Sequence, residues 1–533
     1  MSDIAAPSPN AGSTADRIEL LLASQVDWIV ILSLVLAFAL RLAAAWGKYL
    51  NPDEALHHLL VNQTSLLGAY RASLTNAHPP LYFALLYYWR FIGNSEVMLR
   101  LPSVLASTAA GWMAYRWIAM VLSRAEGLIT LLLTAFSPML IGLGAEVRNY
   151  SLLLLCMASA LFFLERAFRD QKVSSIAYSS LFLYLAILTH YSALWFVLAA
   201  GVYVLVRICS LKVPMRIAWM LFQAGGAAIY VWLYVVHISK MRGSPMEVEA
   251  LTGWLHALYY RGGESRAAFL YRSTVGVFQF LFASDVWGVV ALLLFIVGVV
   301  WLLGARAFQK RRDLASFGIL LLLPFVLAMI AALLDLYPYG GTRHCTYLIL
   351  FATAGISVPI AAAFRQRLAP IVLLAVLLLP YWYLHHAKDP QQMDPKEQKQ
   401  ELMANAIEDL QTSVPPSEPV FSDYQASIML AYYLGRDHPP PPQRECGGVS
   451  EVQYGAYHVV ILGVWSATGD QLISGLDGWR KGCGAAPRDT FWIFDAGWGT
   501  NLLDDLGPSG ARSISQRQRF GETISVFKLR MDR

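Results

Sequence analysis

The stretch Asn51-Pro-Asp-Glu-Ala-Leu-His-His58 places two acids and two histidines immediately after a hydrophobic run. If it is helical, Asp53 and His57 lie on one face and Glu54 and His58 lie on the adjacent face, because residues four apart are neighbours on a helix. Consecutive helical residues point about 100° apart, so only one of the two acids can face a reacting group. The alternative interpretation is an ordinary polar loop between two membrane spans.

Composition indicates the class of protein. Of the 533 residues, 56% are hydrophobic and 14% are charged, whereas soluble domains average about half apolar and about a quarter charged. The sequence therefore predicts a membrane protein. A net charge of +5 is too small for a nucleic-acid-binding protein, and the basic residues are scattered between apolar runs instead of forming one stripe.

The apolar runs predict about eleven transmembrane spans on a ~20-residue criterion. They lie near 28–46, 97–119, 127–143, 150–164, 176–190, 192–208, 217–238, 286–304, 315–334, 346–363 and 369–385. The first run is too long for the apolar core of a signal peptide, and no small-residue cleavage site follows it, so it is interpreted as an uncleaved span. Residues 1–26 are expected to form a disordered cytoplasmic tail.

The basic linkers indicate the orientation. Short linkers rich in Arg and Lys recur between alternate spans, as the positive-inside rule expects of cytoplasmic loops. This assignment predicts a multi-pass protein of the plasma membrane, which is the inner membrane in a bacterium, with a cytoplasmic N-terminus. The membrane domain then covers 27–387 and carries a large outer loop at 47–96 with interfacial helices.

The apolar pattern ends near Lys388. Beyond it, short buried strands are expected at 419–422, 458–464, 490–494 and 523–529, and helices at 399–410 and 427–433. Residues 388–533 are thus predicted to be an extracytoplasmic α/β domain, without a P-loop or a dinucleotide fingerprint. On that side of the membrane a disulfide between Cys446 and Cys483 is chemically permitted, although sequence cannot show that the two sulfur atoms meet.

The linkers assigned to the outer face carry the unusual residues. Cations collect there, on the side that the positive-inside rule leaves poor in them, and an anionic ligand such as phosphate is the simplest explanation. The candidate substrate-binding residues are His57, His58, His78, Tyr82, Arg100, Glu146, Arg148, Tyr150, His190, Tyr191, Lys240, Arg343 and His344.

Two of the outer-face residues have both a chemical and a structural interpretation, and a third requires a partner. Asp53 is the first candidate for a catalytic base, because a carboxylate can take the proton of an attacking hydroxyl; equally, it could be the N-cap of a helix. Arg148 could bind a phosphate bidentately, or could pair with Glu146 to close a helical hairpin. Arg100, near the end of a span, needs a partner, and a carboxylate of the first loop is expected.

No organic cofactor is indicated by the sequence, and a divalent cation is the one candidate. Glu54, His58 and His78 offer suitable ligand types, but their spacing is not diagnostic of a metal site.

The order of five motifs resembles a known family. Asp53-Glu54, His78-Pro-Pro-Leu-Tyr82, Arg100-Leu-Pro-Ser103, Glu146-Val-Arg-Asn-Tyr150 and Arg343-His344 together are similar to glycosyltransferase family 39 and the aminoarabinose-transferase-like membrane enzymes. This resemblance, closest over the first five spans, implies an all-α polytopic membrane protein of the GT-C fold with a C-terminal α/β domain.

The resemblance also implies a function. In such enzymes a polyprenyl-phosphate-linked sugar is the donor and an acid of the first outer loop acts on the acceptor. Asp53 would then be the catalytic carboxylate with Glu54 beside it, and the donor pocket would be lined by His78, Tyr82, Arg148 and Arg343. The aminoarabinose transferases have Lys directly before the Pro-Pro pair, where this chain has His78, which argues against that particular substrate.

The sequence thus predicts an inverting membrane glycosyltransferase that transfers a sugar to an acceptor hydroxyl of a protein, lipid or polysaccharide at the outer face. The alternatives are a transporter or flippase of lipid-linked sugars, and an assembly factor whose C-terminal domain binds a partner. Transporters often show paired repeats with polar residues near the midplane, whereas the ionisable groups here gather at one face and no matching halves are visible.

Overall fold

The computed structural model describes residues 14–243, 245–308, 312–385, 396–483, 488–498, 502–506 and 512–531. The chain divides into two compact units. The membrane unit comprises Met1–Ala44, Ala77–Tyr82 and Ser103–Pro390, and the loop–domain unit comprises Ala45–Asn76, Phe83–Pro102 and Gln391–Arg533. Most of the expected outer loop 47–96 therefore clusters with the C-terminal domain, and not with the membrane domain to which the sequence assigned it.

Helices dominate the chain as far as His385. In order they are α1 (Thr14–Ser24), α2 (Val26–Ala45), α3 (Pro52–Val61), α4 (Leu66–Ser73), α5 (Leu81–Trp89), α6 (Glu96–Val121), α7 (Arg124–Phe136), α8 (Pro138–Gly144), α9 (Tyr150–Asp170), α10 (Val173–Thr189), α11 (Ala193–Arg207), α12 (Val213–Leu233), α13 (Ser239–Met241), α14 (Pro245–Thr252), α15 (Arg266–Leu281), α16 (Asp285–Phe308), α17 (Arg312–Leu333), α18 (Ile349–Ala363) and α19 (Leu368–His385). Short 3₁₀ turns lie at Ile208–Ser210, His256–Leu258 and Arg343–Leu348, and a π turn lies at Tyr234–Ile238.

The helical nature of the predicted apolar runs is confirmed, because each of the eleven runs is covered by one or two helical elements. The expected count of about eleven spans is not reached: within the described ranges seven helical segments are long and apolar enough to cross a membrane by themselves. Helices α7 and α8 make an eighth span if their 58° bend belongs to one broken helix. Helix α10 and the Leu368–Tyr381 part of α19 are apolar but shorter. The protein is therefore a multi-pass membrane protein.

Part of the expected N-terminal tail is ordered. Residues 14–24 form α1, and Glu19 accepts hydrogen bonds from the backbone N–H groups of Leu368 (2.7 Å) and Ala369 (2.9 Å). These are unpaired donors at the start of α19, so the carboxylate caps that helix. Residues 1–13, the rest of the predicted tail before α1, lie outside the described residues.

A buried arginine holds the bend between α7 and α8. Pro138 begins α8 and has no N–H, so the carbonyl of Thr134 has no donor four residues on. Arg41 of α2 donates to the carbonyls of Thr134 (3.1 Å) and Ala135 (2.7 Å) and to Ser107 Oγ (2.7 Å). An intramembrane charge is costly unless paired, and these acceptors of the broken helix satisfy it.

Two glycines allow α16 and α18 to cross closely. A Cβ atom on Gly298 would lie 2.0 Å from the carbonyl oxygen of Gly355, and one on Gly355 would lie 2.5 Å from the ring of Phe295. Small residues at such a crossing let helices pack by van der Waals contact where no hydrophobic effect separates helix from lipid.

The C-terminal domain is a mixed sheet with helices. Its elements are α20 (Gln400–Ser413), β1 (Val420–Ser422), α21 (Tyr424–Gly435), β2 (Arg444–Cys446), β3 (Val449–Tyr454), β4 (Tyr457–Leu462), α22 (Gly469–Gly482), β5 (Thr490–Ala496), α23 (Leu502–Asp505), β6 (Arg512–Phe520) and β7 (Ile524–Met531). The four predicted strands correspond to β1, β4, β5 and β7. The strands β2, β3 and β6 and the helix α22 were not predicted.

The sheet order is β2-β3-β4-β1-β5-β7-β6. Strand β1 pairs in parallel with β4 and β5, and the other pairings are antiparallel. One face packs Phe421, Phe491 and Phe527 against Leu476 and Trp479 of α22. The predicted α/β architecture is thus confirmed.

The first loop is joined to the C-terminal domain within the loop–domain unit. Helix α21 packs along α3. The Leu50 N–H donates to the Tyr433 hydroxyl (3.0 Å), and Asn62 Nδ2 donates to the carbonyls of Arg436 (3.2 Å) and His438 (2.7 Å). Hydrogen bonds at both ends of α3 therefore fix it to the domain.

Cys446 and Cys483 form the disulfide that the sequence allowed, with their Cα atoms 5.2 Å apart. It links β2 to the end of α22 across a sequence separation of 37 residues. A cross-link of this kind restricts the unfolded chain and so stabilises the domain.

We expect Arg41→Met to lower the unfolding midpoint of the purified protein. The carbonyls of Thr134 and Ala135 would lose a charged donor in apolar surroundings, at a cost of about 1.5–3 kcal/mol for each such bond. Thermal unfolding in detergent measures the effect. The matched control is Ser33→Ala, which removes one hydrogen bond within α2; equal midpoints for the two variants would contradict the role given to Arg41.

Candidate active site

The start of α3 decides how the acids of the first loop are used. Asn51 caps the helix: its Oδ1 accepts from the Glu54 N–H (3.0 Å), and its own N–H donates to Glu54 Oε2 (3.0 Å). Pro52 follows at the first helical position. Asp53 is therefore not the cap. Its half-buried side chain belongs to the first turn, at the positive end of the helix dipole.

Glu54 and Arg100 form a buried ion pair. Arg100 donates from Nε to Glu54 Oε1 (2.7 Å) and from Nη2 to Glu54 Oε2 (2.6 Å). Its remaining N–H groups reach the carbonyls of Ala45 (3.0 Å), Lys48 (2.8 Å) and Tyr49 (2.8 Å). All five guanidinium N–H groups are thus used. The expected first-loop partner of Arg100 is present, and this geometry gives both residues a structural role.

His57 is tied to the turn that carries Asp53. Its Nδ1 lies 2.7 Å from the carbonyl oxygen of Asp53, and because a carbonyl only accepts, Nδ1 carries the proton. The ring is buried and stacks on Phe83 with a centroid distance of 5.0 Å. This contact confirms that Asp53 and His57 share one helix face.

His58 has a structural environment. Asn94 Nδ2 donates to the Arg436 carbonyl (2.9 Å), so its Oδ1 faces His58 and accepts from Nε2 (2.8 Å). The edge of the imidazole meets Tyr432. Burial lowers the pKa of His58 to about 4, partly opposed by the hydrogen bond to Asn94, so the ring is neutral at physiological pH.

The expected cation ligands do not fit a metal. Both oxygens of Glu54 face the Arg100 guanidinium, and Nε2 of His58 is protonated toward Asn94. Within the described ranges, the one other group of three ligand types is Cys446, Glu451 and Cys483. There both sulfur atoms belong to the disulfide, and Glu451 accepts from the Trp479 indole (2.7 Å).

In the membrane unit, short hydrogen bonds position the loop between α8 and α9. The Tyr82 hydroxyl lies 3.0 Å from Ser103 Oγ, which donates to the Arg148 carbonyl (3.0 Å). Asn149 Nδ2 donates to the carbonyl of Thr189 at the end of α10 (2.7 Å). Arg148 is therefore held by its backbone next to the residue that follows α10, His190.

Five predicted residues meet here and are named the histidine–tyrosine cluster: His78, Arg148, Tyr150, His190 and His344. The His190 ring lies 5.2 Å from those of His78 and Tyr150 and 6.4 Å from that of His344. The Arg148 guanidinium carbon lies 5.7 Å from the Tyr150 ring centroid. Residues far apart in sequence thus combine into one group of side chains.

Two donors of this cluster are buried without a partner among the described residues: His190 Nε2 and the Tyr150 hydroxyl. The Ser192 N–H donates to His190 Nδ1 (3.1 Å), which leaves the proton of the neutral ring on Nε2. Burial, followed by the charges of His344 and Arg148, holds the pKa of His190 well below its usual value. Beside the Arg148 guanidinium, two such donors favour an anion.

The membrane unit also contains the predicted residues Tyr191, Lys240, Glu146 and Arg343. The Tyr191 hydroxyl lies 2.5 Å from Nδ1 of His237, a residue the sequence did not single out. Lys240 is exposed on α13, and Glu146 is buried in the loop before Arg148. Arg343 begins the 3₁₀ turn that carries His344, and the unpredicted Tyr337 contacts His344.

The excess of cations in the linkers has a second explanation besides an anionic ligand. Arg261 pairs with Asp335 (2.8 Å), and Arg272 pairs with Glu264 (2.6 Å). These pairs are partly exposed and neutralise the arginines locally.

The geometry can now be compared with known proteins. Residues 77–234 match a family model described as dolichyl-phosphate-mannose-protein mannosyltransferase. The crystal structure of ArnT from Cupriavidus metallidurans bound to undecaprenyl phosphate is similar, with a TM-score of 0.53 and 13% identity over 94% of this chain and 98% of that chain. Its apo state has a TM-score of 0.50 and 12% identity, covering 95% and 98%. No curated protein sequence matches.

The chain therefore has the GT-C fold of ArnT, and its segment 77–234 matches the mannosyltransferase family model. The resemblance inferred from the motifs is thereby confirmed for the fold and for this segment. The segment contains His78, Arg148, Tyr150 and His190. Asp53, Glu54 and the C-terminal domain lie outside it.

We expect Glu54→Gln to destabilise the folded protein. The substitution would leave the Arg100 charge buried without a counter-ion, and breaking a buried pair typically costs about 3–5 kcal/mol. The unfolding midpoint in detergent should fall clearly, whereas Asp53→Asn, at a half-buried position one residue away, should change it little. A Glu54→Gln protein as stable as Asp53→Asn would exclude the structural role.

We expect His58 to make the folded protein less stable as the pH falls from about 6.5 to about 4. In this pH window His58 is protonated in the unfolded chain but stays neutral in the folded protein. The free energy of unfolding therefore falls by roughly 3 kcal/mol. His58→Gln keeps a donor toward Asn94 and should lose this part of the pH dependence. The control is His256→Gln, at an exposed position. The measurement is the unfolding midpoint across the pH range. The same pH dependence in His58→Gln as in the wild type would refute the idea.

Proposed function

We propose that this protein transfers a sugar from a polyprenyl-phosphate-linked donor to an acceptor hydroxyl at the outer face of the membrane, with inversion at the anomeric carbon. The observation that carries the proposal is the environment of Arg148, where His190 Nε2 and the Tyr150 hydroxyl are buried donors. A buried donor without a partner is unfavourable, and phosphate oxygens are strong acceptors that a guanidinium also attracts.

A lipid phosphate is the donor class best supported. The matched family is described by dolichyl-phosphate-mannose, and the similar ArnT structure was solved with undecaprenyl phosphate. A donor that already carries a phosphate leaving group needs no nucleotide site, in keeping with a sequence that lacks the P-loop and dinucleotide fingerprints.

In the proposed step, the acceptor oxygen attacks the anomeric carbon as the bond from that carbon to the phosphate oxygen breaks. Asp53 takes the acceptor proton as general base. The leaving polyprenyl phosphate takes the bonding electron pair, and Arg148, Tyr150 and His190 stabilise the negative charge that develops on it. The products are the inverted glycoside and polyprenyl phosphate.

The remaining assignments belong to the same proposal. His78, Tyr82, Arg343 and His344 line the donor site. The C-terminal domain is extracytoplasmic and the N-terminus cytoplasmic, in the inner membrane if the source is a bacterium. The disulfide supports this orientation, because such bonds persist in oxidising compartments and are rare in the cytosol.

The reaction itself can be tested with the purified protein in proteoliposomes, supplied with labelled polyprenyl-phosphate sugars and a cell-envelope extract as acceptor. Transfer of label, with stoichiometric polyprenyl phosphate, is the expected result. Movement of labelled donor across the bilayer without turnover would establish the flippase instead. If neither transfer nor movement is seen, the protein is a scaffold.

Asp53→Asn should reduce transfer by about 10²–10⁴-fold, the usual contribution of a general base. Its unfolding midpoint should stay close to that of the wild type, since the amide keeps the shape of the carboxylate. Asp335→Asn, which removes a partly exposed carboxylate paired with Arg261, is the control and should transfer normally. Wild-type rates in Asp53→Asn would refute the assignment.

Arg148→Met should lower the transfer rate by about 10²-fold or more, because the phosphate would lose its nearest fixed cation. The matched control is Arg261→Met, which removes an arginine paired at the surface. Single-turnover rates at saturating donor measure the effect. Equal rates for both variants would remove Arg148 from the donor site.

A further inference from the structure

Three partly exposed aromatic rings lie in a row at one edge of the C-terminal sheet. Tyr424 follows β1, Trp465 lies in the loop after β4, and Trp498 lies just beyond β5. The Tyr424 and Trp465 ring centroids are 5.8 Å apart, and those of Trp465 and Trp498 are 6.3 Å apart. We name these three residues the aromatic edge. Large rings left partly in solvent on a folded domain commonly mark a binding surface.

The topology of the sheet makes this edge a favoured place for a ligand. The chain passes from β1 to β4 on one side and then returns across β1 to β5 on the other, and all three strands are parallel. In open α/β sheets, ligands bind outside the carboxyl ends of the strands where the strand order reverses in this way. The aromatic edge is formed by the residues that follow these three ends.

Buried hydrogen bonds hold the three loops together. The backbone N–H of Gln425 donates to the Trp465 carbonyl (3.2 Å), and its side-chain oxygen accepts from the Trp498 N–H (3.0 Å). A Cβ atom on Gly497, whose φ is +136°, would lie 2.4 Å from that same side-chain oxygen. Glycine is therefore required there, and the rings stand on a fixed backbone. A rigid backbone lowers the entropy lost on binding.

The charge at this edge limits the kind of ligand. Asp423 is buried and accepts from the N–H groups of Ala426 (2.9 Å) and Ala467 (3.2 Å), and buried Asp495 accepts from the Leu502 N–H (3.0 Å). Burial, together with the neighbouring Asp495, raises the pKa of Asp423 to about 7. These two carboxyl groups lie next to Tyr424 and three residues before Trp498 in the chain, and any charge that they carry is negative, which disfavours phosphates, nucleotides and acidic sugars.

We propose that the aromatic edge is a carbohydrate-binding site for glycans without negative charge. A pyranose ring has an apolar C–H face that packs on an indole or phenol ring. The hydroxyl groups at its rim can form hydrogen bonds with polar atoms of the surrounding loops. The site is separate from the histidine–tyrosine cluster. It binds sugar through the C-terminal domain and takes no part in the bond that the proposed reaction breaks.

The experiment is a glycan array probed with the full-length protein in a detergent that has no sugar headgroup. The array carries neutral oligosaccharides of glucose, mannose, galactose and N-acetylglucosamine, and sulfated or uronate-containing counterparts. The wild type should retain at least one neutral series and bind the acidic counterparts less well. Because sugar transfer is not measured, the result does not depend on the proposed reaction.

Trp465→Ala and Trp498→Ala should each weaken this binding by about tenfold, the loss expected for one aromatic contact. The control Trp254→Ala removes an exposed indole of the membrane unit and should bind as the wild type does. Ser466→Arg, at an exposed position beside Trp465, places a bulky side chain at the edge without removing a ring, and should also reduce binding.

Unfolding midpoints show that each variant folds. If the alanine variants do not fold, the binding measured for Ser466→Arg tests the proposal in their place. The proposal is overturned if no neutral glycan is retained, if acidic glycans bind as well as neutral ones, or if the folded variants bind like the wild type.

Discussion

The buried ion pair between Glu54 and Arg100 is the constraint on which the first loop depends. In a low-dielectric environment either charge alone would be strongly unfavourable, so the two must stay together. The same guanidinium collects the carbonyls of Ala45, Lys48 and Tyr49, and the same carboxylate completes the cap of α3. The direction in which the chain leaves α2, and the turn that presents Asp53, are therefore set by one arginine.

The second consequence of this arrangement is that the loop and the C-terminal domain behave as one unit. Tyr433 and the end of α21 bind both ends of α3, and His58 lies in their interface as a neutral ring. The domain thus supports the helix that carries the proposed base. This gives a structural reason for the chain to keep an additional domain of this size.

The buried polar residues differ in how their hydrogen-bond donors are used. Arg41 and Arg100 use their donors on carbonyl, hydroxyl and carboxylate oxygens of the protein, so they stabilise the fold. His190 and Tyr150, by contrast, keep a buried donor without a partner among the described residues. Native proteins satisfy most buried polar groups, and under the proposed function the phosphate of the donor would supply the missing acceptor for both side chains.

Sequence alone was enough to predict the membrane class, the helices of the apolar runs and the α/β nature of the C-terminal domain, because long apolar runs and short buried strands leave a direct periodic signal. It did not reveal β6, whose residues Arg512–Phe520 are largely polar at the edge of the sheet. Helix α22 was missed although Leu472, Leu476 and Trp479 recur at helical spacing after a Thr468–Gln471 capping box; its glycines lower the intrinsic helix propensity.

Motif order also indicated the family and brought His78, Arg148, Tyr150, His190 and His344 into consideration. The different environments of the two neighbouring acids emerge only from the fold. Both are carboxylates one residue apart, and no local pattern separates them. Arg100, 46 residues away in sequence, binds Glu54, whereas Asp53 lies half-buried in the first turn of α3. Contacts between distant residues depend on the fold, and a single sequence read without it does not record them.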